Sequence, residues 1–263
     1  MLIIGERINA SRKTIREAII KKDAGFIKTE AVNQANAGAD FIDVNCGFDP
    51  DTEISNMEWL VKTVQEATDK PLCIDSPSPE VIKAGIKLHR GKAIINSISG
   101  EGSRADTVLP LVKKYGASIV ALTIDDNGMP GTAEERLKIA KDLAVKLDRF
   151  KIPREDVYFD LLVRSVATEA EQGLELLKSI ALIKSELGMK TLGAVSNVSF
   201  GLPNRTLLNS SFLAMCIGYG LDAAILDITT AEVRASMKAG EALAGTDEYC
   251  LRYINYTREG KQS

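Results

Sequence analysis

The groups in this chain best suited to chemistry are carboxylates and carboxamides, and they recur at one kind of place, the end of a short β-branched run. Those ends read Gly5-Glu6-Arg7-Ile8-Asn9, Asp43-Val44-Asn45, Asp75-Ser76, Asn96-Ser97, Asp160, Ser196-Asn197 and Asp227. Any one of them could be a helix N-cap, worth about 1 kcal/mol, since a strand-to-helix loop often closes on such a residue. Seven together are better explained by a shared polar pocket, because caps need not face a common point. The pocket would be rich in hydrogen-bond acceptors, poor in cations and without histidine. The one histidine, His89, stands in the helical segment after the third run and reads as a surface helix end. Hard divalent ions take oxygen ligands, so carboxylates alone leave a metal open, but no HxH or carboxylate–histidine spacing exists for zinc or iron, and no bound metal is expected. A neutral heterocycle suits the pocket better. A carboxylate accepts two adjacent N–H groups at once, and a carboxamide gives and accepts in one plane. The pterin ring presents such an edge in its N3–H, 2-amino and 4-oxo groups.

The elements that must position these groups follow from hydrophobic periodicity. Strand candidates are Leu2 to Gly5, Phe41 to Asn45, Pro71 to Asp75, Ala93 to Asn96, Ser118 to Leu122, Val157 to Asp160, Thr191 to Ala194 and Ala223 to Leu226. Between them lie amphipathic stretches such as Ile54 to Thr68, Ala133 to Arg149, Glu169 to Leu187 and Arg205 to Gly218, each long enough for a crossover helix. Gly38, Gly116, Gly188 and Gly220 each stand where a helix should stop before the next strand. An open doubly wound sheet would give the same alternation, but no GxGxxG follows the first strand. Eight βα units in 263 residues predict a single-domain TIM (β/α)8 barrel over residues 1–263, with its chemistry at the C-terminal ends of the strands.

Composition narrows the function classes. Hydrophobic residues make up 45% of the chain and charged residues 26%, enough apolar material for a sizeable core. With Lys+Arg 33 against Asp+Glu 36, the net charge of -3 offers no basic field for a phosphate backbone, so nucleic acid is not an expected partner. The opening Met-Leu-Ile-Ile-Gly-Glu-Arg meets charge too soon for a signal peptide or a membrane span, and a cytoplasmic protein is expected. Cys46, Cys73, Cys216 and Cys250 form no CxxC or ligand-spaced cluster and read as reduced, buried thiols. Cys46 has no histidine to activate it and reads as packing.

Several segments resemble the methyltetrahydrofolate:corrinoid protein methyltransferases, pterin-binding barrels related to dihydropteroate synthase. They are Leu-Ile-Ile-Gly-Glu-Arg-Ile-Asn at 2 to 9, Met57 to Val61, Leu72-Cys73-Ile74-Asp75-Ser76, Ile95-Asn96-Ser97, Ser196-Asn197-Val198-Ser199, Asn204-Arg205, Phe212 to Met215 and Gly220 to Ala224. The resemblance runs in order from residue 2 to about residue 227. It implies that Asp75, Asn96 and Asp160 hold the pterin edge, that Asn197 hydrogen-bonds near N5, and that Arg205 matches the family's arginine. With the polar ends already noted, Glu6, Asp43 and Ser196 complete the expected pterin pocket. The loop Ser199 to Asn204 is less polar here than in the acetogenic branch of the family, a departure that bears on the choice of corrinoid partner.

What the resemblance implies is transfer of a methyl group between N5 of tetrahydrofolate and the cobalt of a corrinoid, in a direction the sequence leaves undetermined. The chain has no DxHxxG signature and no length to spare for a cobalamin domain, so the corrinoid is expected on a separate protein; a homodimer is implied as well. As C–N5 breaks, N5 must accept negative charge, so a donor that bonds N5 more strongly in the transition state would raise the rate. Asn197 has such a donor. The expected catalytic pair is therefore Asn197 and Asp75, with the N5 proton arriving through a water or an Asp75-linked network. Two rivals stand beside this reading. Dihydropteroate synthase needs a basic anchor for pyrophosphate, commonly a C-terminal Arg-x-His, where this chain reads Asp227-Ile228-Thr229-Thr230. A non-catalytic folate-binding protein would use the same pocket, and the presence of Asn197 argues against it.

Overall fold

The β-branched runs form eight parallel strands in a computed structural model that describes residues 1–259. β1 (Leu2–Asn9) is followed by α1 (Lys13–Lys21) and α2 (Ala24–Asn36), then β2 (Phe41–Asn45), α3 (Glu53–Gln65), β3 (Leu72–Asp75) and α4 (Pro79–Leu88). The chain continues through β4 (Ile94–Ser99), α5 (Arg104–Tyr115), β5 (Ser118–Leu122), α6 (Ala133–Phe150), β6 (Val157–Asp160) and α7 (Gln172–Leu187). It ends with β7 (Lys190–Ala194), α8 (Arg205–Gly218), β8 (Ala223–Leu226), α9 (Ala231–Leu243) and α10 (Leu251–Glu259). Each strand pairs with the next, and β1 pairs with β8, so the sheet closes into the (β/α)8 barrel that the alternation predicts.

Two strands run further than the apolar pattern suggested. β1 continues through Glu6 and Arg7 to Asn9, and β4 continues to Ser99, each with a bulge, between Gly5 and Ile8 and between Asn96 and Ile98. A bulge re-aims side chains at the strand's end, so polar residues there face the mouth or the outer helices without leaving the strand. Helix ends follow the glycines. Gly116 and Gly188 are left-handed caps at φ 60°, while Gly38 and Gly220 sit one residue past the cap with φ of 104° and 88°. Gly5 has a different task, since a Cβ there would collide with the amide of Gln34, whose Oε1 accepts the Arg7 backbone N–H at 3.0 Å. α2 thus lies directly against β1.

The core has two parts. A large outer shell, including Ile3, Ile42, Ile74, Ile95, Ile119, Phe159 and Ala224, packs the sheet against the helices. Inside the barrel, Ile4, Cys73, Ile94, Val120, Tyr158, Leu192, Ala223 and Ile225 fill the lumen. Cys46, Cys73 and Cys216 are buried as expected, but Cys250 is exposed, because it lies between α9 and α10 outside both parts of the core. His89 is also more than a surface helix end. It is half-buried at the end of α4, and its Nε2 accepts the Leu72 backbone N–H at 3.0 Å, anchoring the start of β3.

Candidate functional site

Side chains alternate across a strand, so positions two residues apart share a face. Two residues beyond Ile4, Cys73, Ile94 and Tyr158 of the lumen stand Glu6, Asp75, Asn96 and Asp160, and Leu122, Ala194 and Ile225 bear the same relation to Val120, Leu192 and Ala223. All seven line a cavity of about 590 Å³ at the C-terminal mouth of the barrel, with Asp160 on β6 standing between the apolar Leu122 of β5 and Ala194 of β7. Asp43 lies deeper, because the register sets it opposite Cys73 whereas Asn45 faces Asp75 and Asp75 faces Asn96. The mouth is therefore the topmost inward layer of the barrel, with Asp43 reaching into the layer below.

Burial dominates the electrostatics. Asp75 is pushed up to about 6, chiefly by loss of solvent, despite the Asn45 amide donating to its Oδ2 at 3.0 Å and the nearby Arg104 charge. Asp160 is likewise pushed up to about 6 by burial, although its Oδ1 accepts the Leu162 backbone N–H at 2.8 Å. Asp43, 2% exposed, is raised further by burial and by Asp75, and its Oδ1 is buried with no hydrogen-bond partner among the described residues. Glu6 is raised by burial against the Ser196 hydroxyl, which donates to its Oε2 at 2.8 Å, and against the charge of Arg12. Asp75 and Asp160 each receive one of these donors on a single oxygen, and a ligand that brings N–H groups would supply more.

The rim is held by arginines. Arg205 donates through Nε to Ser199 Oγ at 3.0 Å and through Nη2 to the Ser196 carbonyl at 2.7 Å, bracing the turn that carries Asn197. Its guanidinium lies 5.9 Å from the ring centre of Phe200, which is 68% exposed at the cavity edge. Arg104, from the first turn of α5, donates to the carbonyls of Ser97 at 2.9 Å and Ser76 at 3.0 Å, and to that of Pro77, tying the ends of β3 and β4 together. Arg136 is fully buried beneath Asp160 and donates to the Leu161 carbonyl at 2.7 Å and to Gln172 at 3.0 Å.

The eight residues expected to form the pterin pocket, Glu6, Asp43, Asp75, Asn96, Asp160, Ser196, Asn197 and Arg205, all line this one cavity. Asp227 does not. It accepts the Thr229 backbone N–H at 3.1 Å and pairs with Arg7 at 3.0 Å, so it shapes the loop after β8. Asn9, Ser11, Arg12, Ser97 and Phe200 also line the cavity without having been expected in the pocket, and Asn45, Arg104 and Arg136 support it from outside. Asn9 and Ser97 were legible as strand ends. Arg104 and Arg136 sit in helical segments, where nothing in the sequence marks which face they use. Cys46 is packing as read, its thiol donating to the Glu53 carbonyl at 3.4 Å.

Fold and site together define a (β/α)8 barrel whose mouth is lined by buried carboxyl and carboxamide groups. Residues 5–227 match the family described as "Pterin binding enzyme". The methylcorrinoid:tetrahydrofolate methyltransferase of Eubacterium limosum is 35% identical over 99% of this chain and 97% of its own length. The methionine synthase of Mycobacterium tuberculosis is 33% identical over 86% of this chain, which corresponds to 20% of that larger enzyme. Among solved structures, the Yersinia pestis DHPS with a pterine-sulfa conjugate superposes with a TM-score of 0.69 over 93% of both chains; at 13% identity this is a likeness of fold. The chain belongs to the pterin-binding enzymes and, among them, to the family of the tetrahydrofolate:corrinoid methyltransferases.

Proposed function

We propose that this protein transfers a methyl group between the cobalt of a corrinoid carried by a separate protein and N5 of tetrahydrofolate, with tetrahydrofolate as acceptor, the order in which the Eubacterium relative's name gives the two substrates. The observation that carries the proposal is the convergence of Asp75, Asn96, Asp160 and Asn197 on one cavity. In this reading Asp75, Asn96 and Asp160 grip the N3–H, 2-amino and 4-oxo edge, while Asp43, Glu6, Ser196 and Arg205 close the pocket around the ring. Asn197 donates to N5. When the C–N5 bond breaks, this hydrogen bond strengthens as electron density returns to N5; when tetrahydrofolate is the acceptor, the same amide orients the N5 lone pair toward the methyl group. The corrinoid approaches from the open side of the mouth, past Phe200. A homodimer belongs to the same reading, and the exposed Leu207, Met215 and Tyr219 in and just past α8 are apolar surface that it would bury.

Two variants test this. Asp75→Ala should weaken tetrahydrofolate binding in a fluorescence titration, and unchanged affinity would mean that the pocket is misassigned. Asn197→Ala should slow single-turnover methyl transfer by about 10²- to 10³-fold with little change in affinity. Equal losses in rate and binding would remove its transition-state role.

A further inference from the structure

Four carboxyl groups line the mouth, and the reading above uses Asp75 and Asp160 as acceptors for the pyrimidine edge of the ring. Glu6 stands apart from them. It comes from β1, while the two recognition acids come from β3 and β6, and its Oε2 accepts the hydroxyl of Ser196 at 2.8 Å. Ser196 is the neighbour of Asn197, so Glu6 is linked to the turn that reaches N5. Its other oxygen, Oε1, accepts only a long hydrogen bond from Arg12 at 3.3 Å. Behind Glu6 lies a second cavity of about 40 Å³, which Ser196, Thr206, Asn209 and Thr230 help to line, and Glu6 is shared between this pouch and the main cavity. That volume holds one or two waters, and the hydroxyl and amide groups around it could bond them. The carboxyl therefore has substrate space in front and, behind, a water-sized space whose wall mixes these polar groups with Val195, Leu213, Leu226 and Val233.

The chemistry requires a group in this position. When tetrahydrofolate accepts a methyl group, the N5 lone pair forms the new N–C bond, and the electron pair of the cobalt–carbon bond stays on cobalt, which becomes Co(I). N5 then carries the methyl group, its original hydrogen and a positive charge, and the proton must go to a base. We infer that Glu6, coupled through Ser196, is that base: it takes the N5 proton as the methyl group arrives and returns it when the methyl group leaves. This rests on the pterin reading above. Asp75 and Asp160 are poorly placed for the task, since protonating either would break the acceptor array that holds the opposite edge of the ring.

The surroundings of Glu6 suit a proton carrier. Burial raises its pKa above that of an ordinary glutamate, and the negative charge of Asp227 acts in the same direction; the Ser196 hydroxyl, Arg12 and Arg205 hold it back. A base raised in this way takes a proton more readily than a surface carboxylate, and general acid–base catalysis typically contributes about 10²- to 10⁴-fold.

The test is single-turnover transfer from methylcobalamin to tetrahydrofolate between pH 5 and 9, with tetrahydrofolate affinity measured separately. For Glu6→Gln we expect affinity within about threefold of the parent, a rate lowered by about 10²-fold or more, and, with tetrahydrofolate kept saturating at every pH so that Asp75 and Asp160 do not shape the profile, loss of the acidic inflection in the pH–rate profile. Glu6→Asp, which keeps a carboxyl group, should restore an inflection at a shifted pH. A Glu6→Gln rate and profile equal to the parent's would overturn the inference, as would a rate loss that only tracks lost affinity. If Glu6→Gln does not fold, an unshifted inflection in Glu6→Asp overturns it. Failure of the parent protein to bind tetrahydrofolate would instead sink the functional reading beneath it.

Discussion

Replacing Asp160 by asparagine removes a buried negative charge while preserving the side chain's shape, so the variant should gain stability at neutral pH even as it loses the ligand. The folded protein holds Asp160 at about 6, against an ordinary 3.8. A carboxyl whose pKa is raised by folding contributes its full stability below the unfolded value and loses it as pH rises through the folded value. The gap of about 2 pH units corresponds to about 3 kcal/mol, given up by the parent protein between roughly pH 4 and pH 7. Asp160→Asn has no charge to bury, and its amide oxygen can still accept the Leu162 N–H. The two proteins should thus differ by about 1 kcal/mol at pH 4.5 and by about 3 kcal/mol at pH 8, the latter about 6–12 °C in melting temperature for a chain of this size. Urea unfolding at both pH values reads the difference, provided the slope with urea is the same for both proteins. A stability difference that does not change between pH 4.5 and pH 8 would refute the reasoning, because Asp160 would then titrate alike in the folded and unfolded chain.

Tetrahydrofolate affinity should be strong above pH 7 and fall as pH drops through about 6, because the ring edge needs Asp75 and Asp160 ionised and both sit near 6 in the free site; calorimetry at pH 6 in two buffers of different ionisation heat should show proton release on binding. Arg104→Ala removes a cation that holds Asp75 down. It should move that affinity transition upward by about 1 pH unit, and an unmoved transition would show that Arg104 acts only as a strut. Gly5→Ala should destabilise the fold by about 1–3 kcal/mol in urea, since the new methyl group meets Gln34. A thiol reagent should modify one cysteine of the native protein promptly, Cys250, while Cys46, Cys73 and Cys216 react only on unfolding; fast reaction of two or more would contradict the burial described.

The fold was legible because its signal is redundant. Eight β-branched runs and four glycine stops all point to one architecture, so a misjudged end at Gly5 or Asn96 left the count intact. Those two ends were misjudged for a physical reason: past a bulge a strand carries polar residues, and Glu6 and Asn96 break the apolar pattern used to find strands. The site was legible because chemistry collects at strand ends and the two-residue period decides which member points inward. The same period puts Asp43, rather than Asn45, one layer deeper than its neighbours, but only once the β2–β3 register is known. Arg104 and Arg136 were out of reach. Each stands on an amphipathic helix, where an arginine facing solvent and one reaching under the sheet look alike.

The distribution of charge also orients the ligand. Four carboxyl groups stand in or below the top layer of the barrel, and the cations among the cavity-lining residues, Arg12 and Arg205, are both on the rim. An anionic group on the floor would bring further negative charge to a place where Asp43 and Asp75 already raise each other's cost of ionising. A neutral edge rich in N–H groups does the reverse, adding donors to carboxyl groups that burial has deprived of solvent. A tetrahydrofolate would therefore enter ring first, with its pyrimidine edge against Asp75, Asn96 and Asp160 and its carboxylate tail outward beside Arg12 and Arg205. In the proposed reading that orientation would turn the N5 side of the ring toward Asn197 and Glu6. The burial that makes these acids costly to the empty protein is then what selects a ligand with this distribution of donors and charge.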